Sequence, residues 1–333
     1  MIEPTESTAL GGTGLTVTRV GLGTAPLGGL FEAVSDEEAL ATIAGAWELG
    51  IRFFDTAPLY GHGLSEQRLG VALAGRPRGD LVLATKVGRL LRRDAPPDES
   101  QLSDGVERWK GVPPLNPVFD FSYDGVMRSV EESLARLGLD RIDVLHIHDP
   151  DEHYDDALRG AYRALDRLRS EGTIGAVGAG MNQAEMLTRF ARDADFDCFL
   201  VAGRYTLLDQ SALAELLPLC LERGVAVIAG GVFNSGILAD PRPGATFDYS
   251  VAPAELVERA RRLGAVCERH GVPLKAAALQ FPLAHPAVTT LLLGPRSAAE
   301  LEENLALLRL ELPAALWDEL RGEGLVARDA PAP

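Results

Sequence analysis

Short apolar runs alternate with amphipathic stretches along nearly the whole chain. Residues 8–23 interleave glycines with LTVTRVGLG, which predicts a small β-hairpin followed by a first buried strand. Residues 36–50 repeat their apolar positions with helical spacing, with Ser35 as cap, acidic residues in the first turn and Gly50 at the stop. Ile51–Phe54 is a second strand, and its helix is expected to open at Ser65. LVLATK (81–86) is a continuous apolar run of the kind buried on both faces. After residues 88–121 the rhythm resumes with a helix at 122–138, a strand at 142–148 and a helix at 155–172. Strand five (174–180) is followed by a helix at 182–192. Strand six (197–203), a helix at 211–224 containing Pro218, and strand seven (225–230) complete the next unit. Helices at 253–270 and 273–284, strand eight at 288–294 and a last helix from Ser297 close the pattern. Eight strand–helix alternations predict an α/β fold, a single closed parallel (β/α)8 barrel with its helices outside.

Three segments lie outside that rhythm. Residues 1–18 form the N-terminal hairpin, and residues 311–333 are an extension expected to hold a short helix and to fray at ARDAPAP. Residues 88–121 carry five prolines, many charges and no clear periodicity. A long loop after a barrel strand sits at the functional mouth, so it is expected to act as a lid or substrate wall, with Trp109 and Phe119 facing the substrate. The whole of 1–333 reads as one barrel domain, without internal repeats.

Composition narrows the partners. An apolar content of 46% supplies a full core, and a net charge of −16 disfavours nucleic acid and anionic membranes. The start MIEPTESTALGG has neither a basic cluster nor an apolar run, and no stretch reaches the ~20 apolar residues of a membrane span. Cys198, Cys220 and Cys267 are scattered and lack CxxC spacing. A cytoplasmic protein with reduced, buried thiols is expected. Its partner is a small molecule; oligomeric state is not legible.

The chemistry gathers at strand ends. Strand two ends on Asp55 and leads to Tyr60 in a Pro/Gly-bracketed loop, with His62 beside it, either substrate-facing or merely solvated; strand three ends on Lys86 and strand four on His148. In a parallel barrel these ends converge on one mouth. A phenol titrates near pH ~10, so it needs help to exchange a proton at neutrality. A nearby ammonium would lower that pKa, a carboxylate would hold the ammonium, and a neutral imidazole would orient the substrate oxygen. The four together suit proton transfer to or from a carbonyl or hydroxyl oxygen.

DTAPLYG followed by SE and LG, then TKVG and IHDP, resemble the aldo-keto reductase superfamily from about residue 10 to 310. The resemblance implies Asp55, Tyr60, Lys86 and His148 as a catalytic tetrad and a nicotinamide cofactor across the barrel mouth. LGGTGLTVTRVGLGTAPLGGLF, KVGRLL and VGAGMNQ look like the group of D-threo-aldose 1-dehydrogenases (L-fucose dehydrogenases), with pyridoxal 4-dehydrogenases very similar. The expected reaction is hydride transfer from C1 of a cyclic aldose such as L-fucose or D-arabinose, giving a lactone; the alternatives are pyridoxal oxidation and general aldehyde or ketone reduction. GGVFNSGIL resembles the segment that embraces the pyrophosphate, implying contacts from Gly230, Gly231, Val232, Phe233, Asn234, Gly236 and Leu238. GPRSAAELEEN resembles the adenosine site, implying Gly294, Arg296, Ser297, Glu300, Glu303 and Asn304. Gly230 stands where many relatives stack an aromatic on nicotinamide, and Ala202 stands where a Gln assists. Gly180-Met181 replaces a Ser-Asn pair, so Asn182 is expected to take the carboxamide. Glu300 would accept from a ribose 2′-hydroxyl and repel a 2′-phosphate, so NAD is expected, with NADP the alternative.

Competing signals point to other classes. GLGTAP begins like a dinucleotide fingerprint, but Pro26 replaces its third glycine. His146 and His148 share one strand face, as a metallohydrolase would need, yet His270 and His285 end helices away from the mouth. No metal is expected. A non-catalytic, cofactor-binding subunit is the third class, and the intact tetrad argues against it. The run ELVERARR (255–262) reads as a solvated helix face.

Overall fold

A computed structural model describes residues 2–333. Eight parallel strands close into a barrel: β1 (Val20–Gly23), β2 (Phe53–Asp55), β3 (Val82–Val87), β4 (Val144–His148), β5 (Ala176–Met181), β6 (Cys198–Ala202), β7 (Ala226–Gly230) and β8 (Val288–Leu293). Each strand pairs with its sequence neighbours, and β8 returns to β1. The barrel interior is filled by Phe53, Val82, Val144, Cys198 and Ile228 among others. Leu10 and Val17 of the N-terminal hairpin (Ser7–Ala9 with Thr16–Thr18) join that cluster and close one end. Burying such side chains contributes about 1.5–3 kcal/mol each. Glycine makes room where a large polar side chain points inward: a Cβ on Gly178 would lie 2.2 Å from His146 Nδ1.

Helices α1 (Asp36–Glu48), α2 (Leu64–Leu73), α3 (Tyr123–Leu137), α4 (Arg163–Ser170), α5 (Ala184–Asp193) and α6 (Leu216–Arg223) cover the outside, followed by α7 (Ala254–Arg269), α8 (Leu274–Leu283) and α9 (Ala298–Leu308). α1 starts at a capping box: Ser35 Oγ accepts from Glu38 N, and the Glu38 carboxylate accepts from Ser35 N, both at 3.2 Å.

Several local expectations are corrected. Ser65 does not cap α2; Gly63 holds that position, and the fully buried Ser65 hydroxyl instead donates to Thr24 Oγ1 at 2.6 Å and contacts Thr56 Oγ. Its burial between the loops after β1 and β2 turned a capping group into a tertiary one. The helix expected from 155 opens at Tyr154 and passes through a π-helical segment, Ala157–Tyr162, before α4. There Gly160 lies so close to Phe121 that a Cβ would fall 2.2 Å from its carbonyl oxygen. The helix expected over 211–224 is a 3-10 turn plus α6, with Pro218 in the first turn of α6, where its missing N–H costs nothing. Asn182 lies outside α5.

Residues 88–121 are built, not structureless. Arg89–Arg92 pairs antiparallel with Asn116–Phe119, and Leu102–Ser103 pairs with Val106–Glu107 at the tip. This segment is tied to the loop after β1: Phe31 N donates to Arg108 O at 2.6 Å and Lys110 N to Gly29 O at 2.8 Å. Gly29 allows that approach through its left-handed backbone (φ 91°), since a Cβ there would sit 2.2 Å from Lys110 O. The C-terminal tail is packed as far as Ala330. α10 (Ala314–Gly322) buries Leu316, Trp317 and Leu320, and Arg321 then donates to the carbonyl of buried Ala330 at 2.9 Å. No described helix is long and apolar enough to cross a membrane.

Candidate active site

Asp55, Lys86 and His148 end or nearly end β2, β3 and β4, which are adjacent in the barrel, and strand register brings their side chains to one mouth. Lys86 Nζ donates to Asp55 Oδ1 at 2.5 Å and to Thr56 O at 3.0 Å, with both side chains of the ion pair fully buried. Tyr60 comes in from the loop after β2. Its ring lies 4.6 Å from Lys86 Nζ and meets the His148 ring edge-on at 5.7 Å. Trp109 reaches over from the 89–119 segment to within 5.8 Å of the Tyr60 ring.

Burial governs the protonation states. It holds His148 well below the ordinary imidazole range, helped by the positive neighbours Arg89 and Lys86, so this ring is neutral at pH 7. Burial pushes the Asp55 carboxyl upward and the Lys86 ammonium pulls it back. The Tyr60 phenol is raised well above its ordinary value by burial and by the carboxylates of Asp55 and Asp149, with Arg89 opposing. This corrects the expectation that Lys86 makes Tyr60 a ready phenolate. The ammonium is matched at hydrogen-bond distance by Asp55, so the resting phenol is a proton donor.

Two cavities meet at Tyr60, Leu200 and Ala202. One, of about 560 Å³, is walled by Trp109, Phe119, Arg89, Asp149 and Asn182 among others. The second, a groove of about 800 Å³, runs from Asp55 and Tyr60 past β7 to the start of α9. Gly230, Gly231, Val232, Phe233 and Gly236 line it, as do Gly294, Arg296, Glu300, Glu303 and Asn304. Its volume and its two ends suit a nicotinamide dinucleotide: the proton-transfer set at one end, a helix N-terminus with hydrogen-bonding side chains at the other. Gly236 leaves the groove clear, for a Cβ there would meet nothing within 4 Å.

Some expected contacts fall elsewhere. Asn234 and Leu238 are buried behind the groove; Asn234 donates to Gly203 O at 3.0 Å and accepts from Thr206 at 2.5 Å, and Ser235 lines the groove beside them. Ser297 caps α9, accepting from Glu300 N at 3.2 Å. Glu300 accepts from Arg296 N at 2.8 Å, so its carboxylate also braces its own loop. Asn182 faces the first cavity and donates to Ala202 O at 2.9 Å. His62 lines neither cavity; it packs beside the Pro113–Leu115 backbone, its pKa lowered by burial. His146 points into the barrel below the mouth, with both ring nitrogens unpartnered and its pKa lowered to about 3.

Among the wall residues that sequence reasoning missed are Arg89, Asp149, Asp248 and Tyr249. Asp149 and Tyr249 adopt left-handed backbone (φ 41° and 66°), as does Asp248 (φ 47°). Asp248 pairs with Arg204 at 2.6 Å. The one available signal was in plain view: Arg89 and Asp149 each follow a tetrad residue, by three positions and by one.

A barrel mouth holding a buried Asp–Lys pair, a tyrosine, a neutral histidine and a dinucleotide-sized groove defines an oxidoreductase of carbonyl and hydroxyl groups. Residues 19–322 match the aldo/keto reductase family, and the chain belongs to it. It is therefore a nicotinamide-dependent oxidoreductase. It is 45% identical to pyridoxal 4-dehydrogenase of Microbacterium luteolum over 98% of this chain and 99% of that one. It is 44% identical to D-threo-aldose 1-dehydrogenase of a Pseudomonas species (96% and 97% covered) and 34% identical to L-galactose dehydrogenase of Arabidopsis thaliana (90% and 87%). An aldo-keto reductase from Bacillus halodurans in its holo form superposes with a TM-score of 0.74 at 27% identity, each chain 96% covered.

Proposed function

We propose that this enzyme oxidises the hemiacetal carbon C1 of a cyclic aldose of the L-fucose or D-arabinose type to the lactone. The observation that carries the reading is the wall of the smaller cavity. Beside Tyr60 and His148 it presents donors and acceptors in quantity, including Arg89, Asp149, Gln101, Arg204 and Asp248, with Trp109 as a flat apolar face. Such a lining matches a small, hydroxyl-rich ring. Two of the relatives act on sugars by name, which agrees with it.

Tyr60 takes the C1 hydroxyl proton in oxidation and returns it in the reverse direction. Neutral His148 orients the same oxygen, and Lys86, held by Asp55, provides the positive charge beside the phenol. Bound nicotinamide supplies the hydride acceptor. A hemiacetal needs no hydration step, because C1 already bears the hydroxyl.

The cofactor reading is NAD. Two cations stand at the far end of the groove: Lys275, which pairs with Glu303, and Arg296, whose guanidinium meets two carboxylates, Glu32 at 2.7 Å and Glu300 at 3.7 Å. The local sum is negative, which disfavours the two charges of a 2′-phosphate. Pyridoxal is the second reading, favoured by the 45% relative and by a ring-sized aromatic wall of Trp109 and Phe119. Initial rates of NAD and NADP reduction with L-fucose, D-arabinose and pyridoxal test the assignment. Turnover of pyridoxal without turnover of either sugar would overturn it.

A further inference from the structure

Arg89 is a buried guanidinium with no good partner. It stands three residues beyond Lys86, 5% exposed, in the wall of the smaller cavity. Its Nη1 lies 3.3 Å from His148 O, and both Nη atoms lie 3.4 Å from Asp149 Oδ2; Nε has no partner at all. Hydrogen bonds from an amino or guanidinium group to oxygen ordinarily close to about 2.9 Å. The buried guanidinium's donors thus point at long contacts or, at Nε, at none, which is costly unless a ligand completes the set. Phe119 supports the guanidinium plane at 4.6 Å from the ring centroid.

Asp149 is the complementary half. Its left-handed backbone (φ 41°) turns the chain sharply after His148, and its carboxylate contacts only Arg89 and, at 3.5 Å, His148 Nε2. Donor and acceptor therefore stand side by side, next to the imidazole that orients the reacting oxygen. A vicinal diol matches such a pair: one oxygen accepts from the guanidinium, and the neighbouring hydroxyl donates to the carboxylate.

We propose that Arg89 and Asp149 form the subsite that reads the hydroxyls next to the reacting carbon of the sugar, with Arg89 holding the oxygen on C2. The assignment rests on the aldose reading above and names which sugars that site selects. O1 is held between Tyr60 and His148, so the oxygen one carbon away falls against the residue that hydrogen-bonds the His148 carbonyl. A polar site built to hold a hydroxyl rejects a substrate that lacks it, because its own groups are then left unpaired.

D-arabinose and 2-deoxy-D-ribose differ only in that C2 hydroxyl, and they are the probes. The wild-type enzyme should show kcat/KM for D-arabinose at least about 100-fold above that for the deoxy sugar. In Arg89→Met, and in Arg89→Met/Asp149→Asn, which leaves no unpaired buried charge, that preference should collapse to about 3-fold or less. The collapse is read as the ratio of the two sugars within each variant, so that a shift of the Tyr60 phenol caused by the lost charge, which acts on both sugars alike, cancels. Residual turnover of the deoxy sugar shows that each variant is folded and binds cofactor. Equal losses on both sugars, or a wild type indifferent to the C2 hydroxyl, would overturn the subsite. A wild type that oxidises neither sugar but oxidises pyridoxal would remove the aldose reading, and a sugar subsite with it.

Discussion

Arg296 Nη1 lies 2.7 Å from the carboxylate of Glu32, so an ion pair joins the loop after β8 to the loop after β1 beside the cofactor groove. All its members are about half exposed or more, and such pairs are individually weak. Their weight lies in the sign they give to one spot. Glu32→Gln and Glu300→Gln should each improve the NADP-to-NAD ratio of kcat/KM by several-fold, and the double variant by more than either. Unchanged ratios in all three would show that neither carboxylate reads the 2′ position.

Tyr60→Phe should lower kcat by at least about 100-fold, the usual scale for a lost general base, while NAD still quenches protein fluorescence with near wild-type affinity. Retained turnover would take Tyr60 out of the mechanism.

The raised phenol fixes the pH dependence. Oxidation needs the phenol to accept a proton, so it requires the deprotonated form, and kcat/KM should climb with pH above neutrality. Reduction uses the protonated form and should be flat through pH 6–8. Asp55 raises the phenol's pKa, so Asp55→Asn should move the oxidation limb to lower pH. Lys86→Met removes a cation and leaves the carboxylate, so the limb should move up. Limbs that stay in place in both variants would mean another group controls the profile.

Lys86→Met also strands a buried carboxylate, which in general costs about 3–5 kcal/mol. Its Tm should fall well below that of Lys86→Met/Asp55→Leu, where no charge remains. If the double variant is the less stable of the two, the burial argument for the pair fails.

His146 ties stability to pH. Its folded pKa, lowered to about 3, lies below the unfolded value near ~6.5, so the unfolded chain binds the extra proton between those limits. The stability is complete above the unfolded pKa and drains away as the pH falls below it. Linkage gives a loss on the order of 2 kcal/mol between pH 7 and pH 5 from this group alone. His146→Leu should flatten the fall of Tm over that interval; an equal slope in the variant would acquit His146.

The barrel and the gathering of Asp55, Tyr60, Lys86 and His148 at its mouth were legible because both rest on short-range signals: continuous apolar runs that end in an ionisable residue. Phe53-Phe54-Asp55 and the run ending Lys86 announce their own strand ends. Arg89 did not, because its strand pairs with Asn116–Phe119 across a proline-rich stretch whose alternation is masked. Asp149, Asp248 and Tyr249 owe their placement to left-handed turns that no periodicity encodes. Ser65 has the right chemistry for a cap and is buried by neighbours distant in sequence, just as Ala330 is held by Arg321 in a tail that reads as loose. The groove was legible as a motif, but which of its residues face inward was not: Asn234 is buried behind the wall, and Ser235, which was given no role, lines it.

One short stretch, Gly29–Glu32, is bonded to the backbone of the 89–119 segment on one side and to Arg296 on the other. The same few residues thus border both cavities, and coupling between the two is the expected consequence. Nucleotide seated in the groove would fix the position of Leu30 and Phe31, and through the bridge from Leu30 that of Trp109, before substrate meets its wall. In kinetic language this is a compulsory order, nucleotide first on and last off. Initial-rate plots should therefore intersect, NADH should compete with NAD at every sugar concentration, and the turnover rate should follow release of the nucleotide.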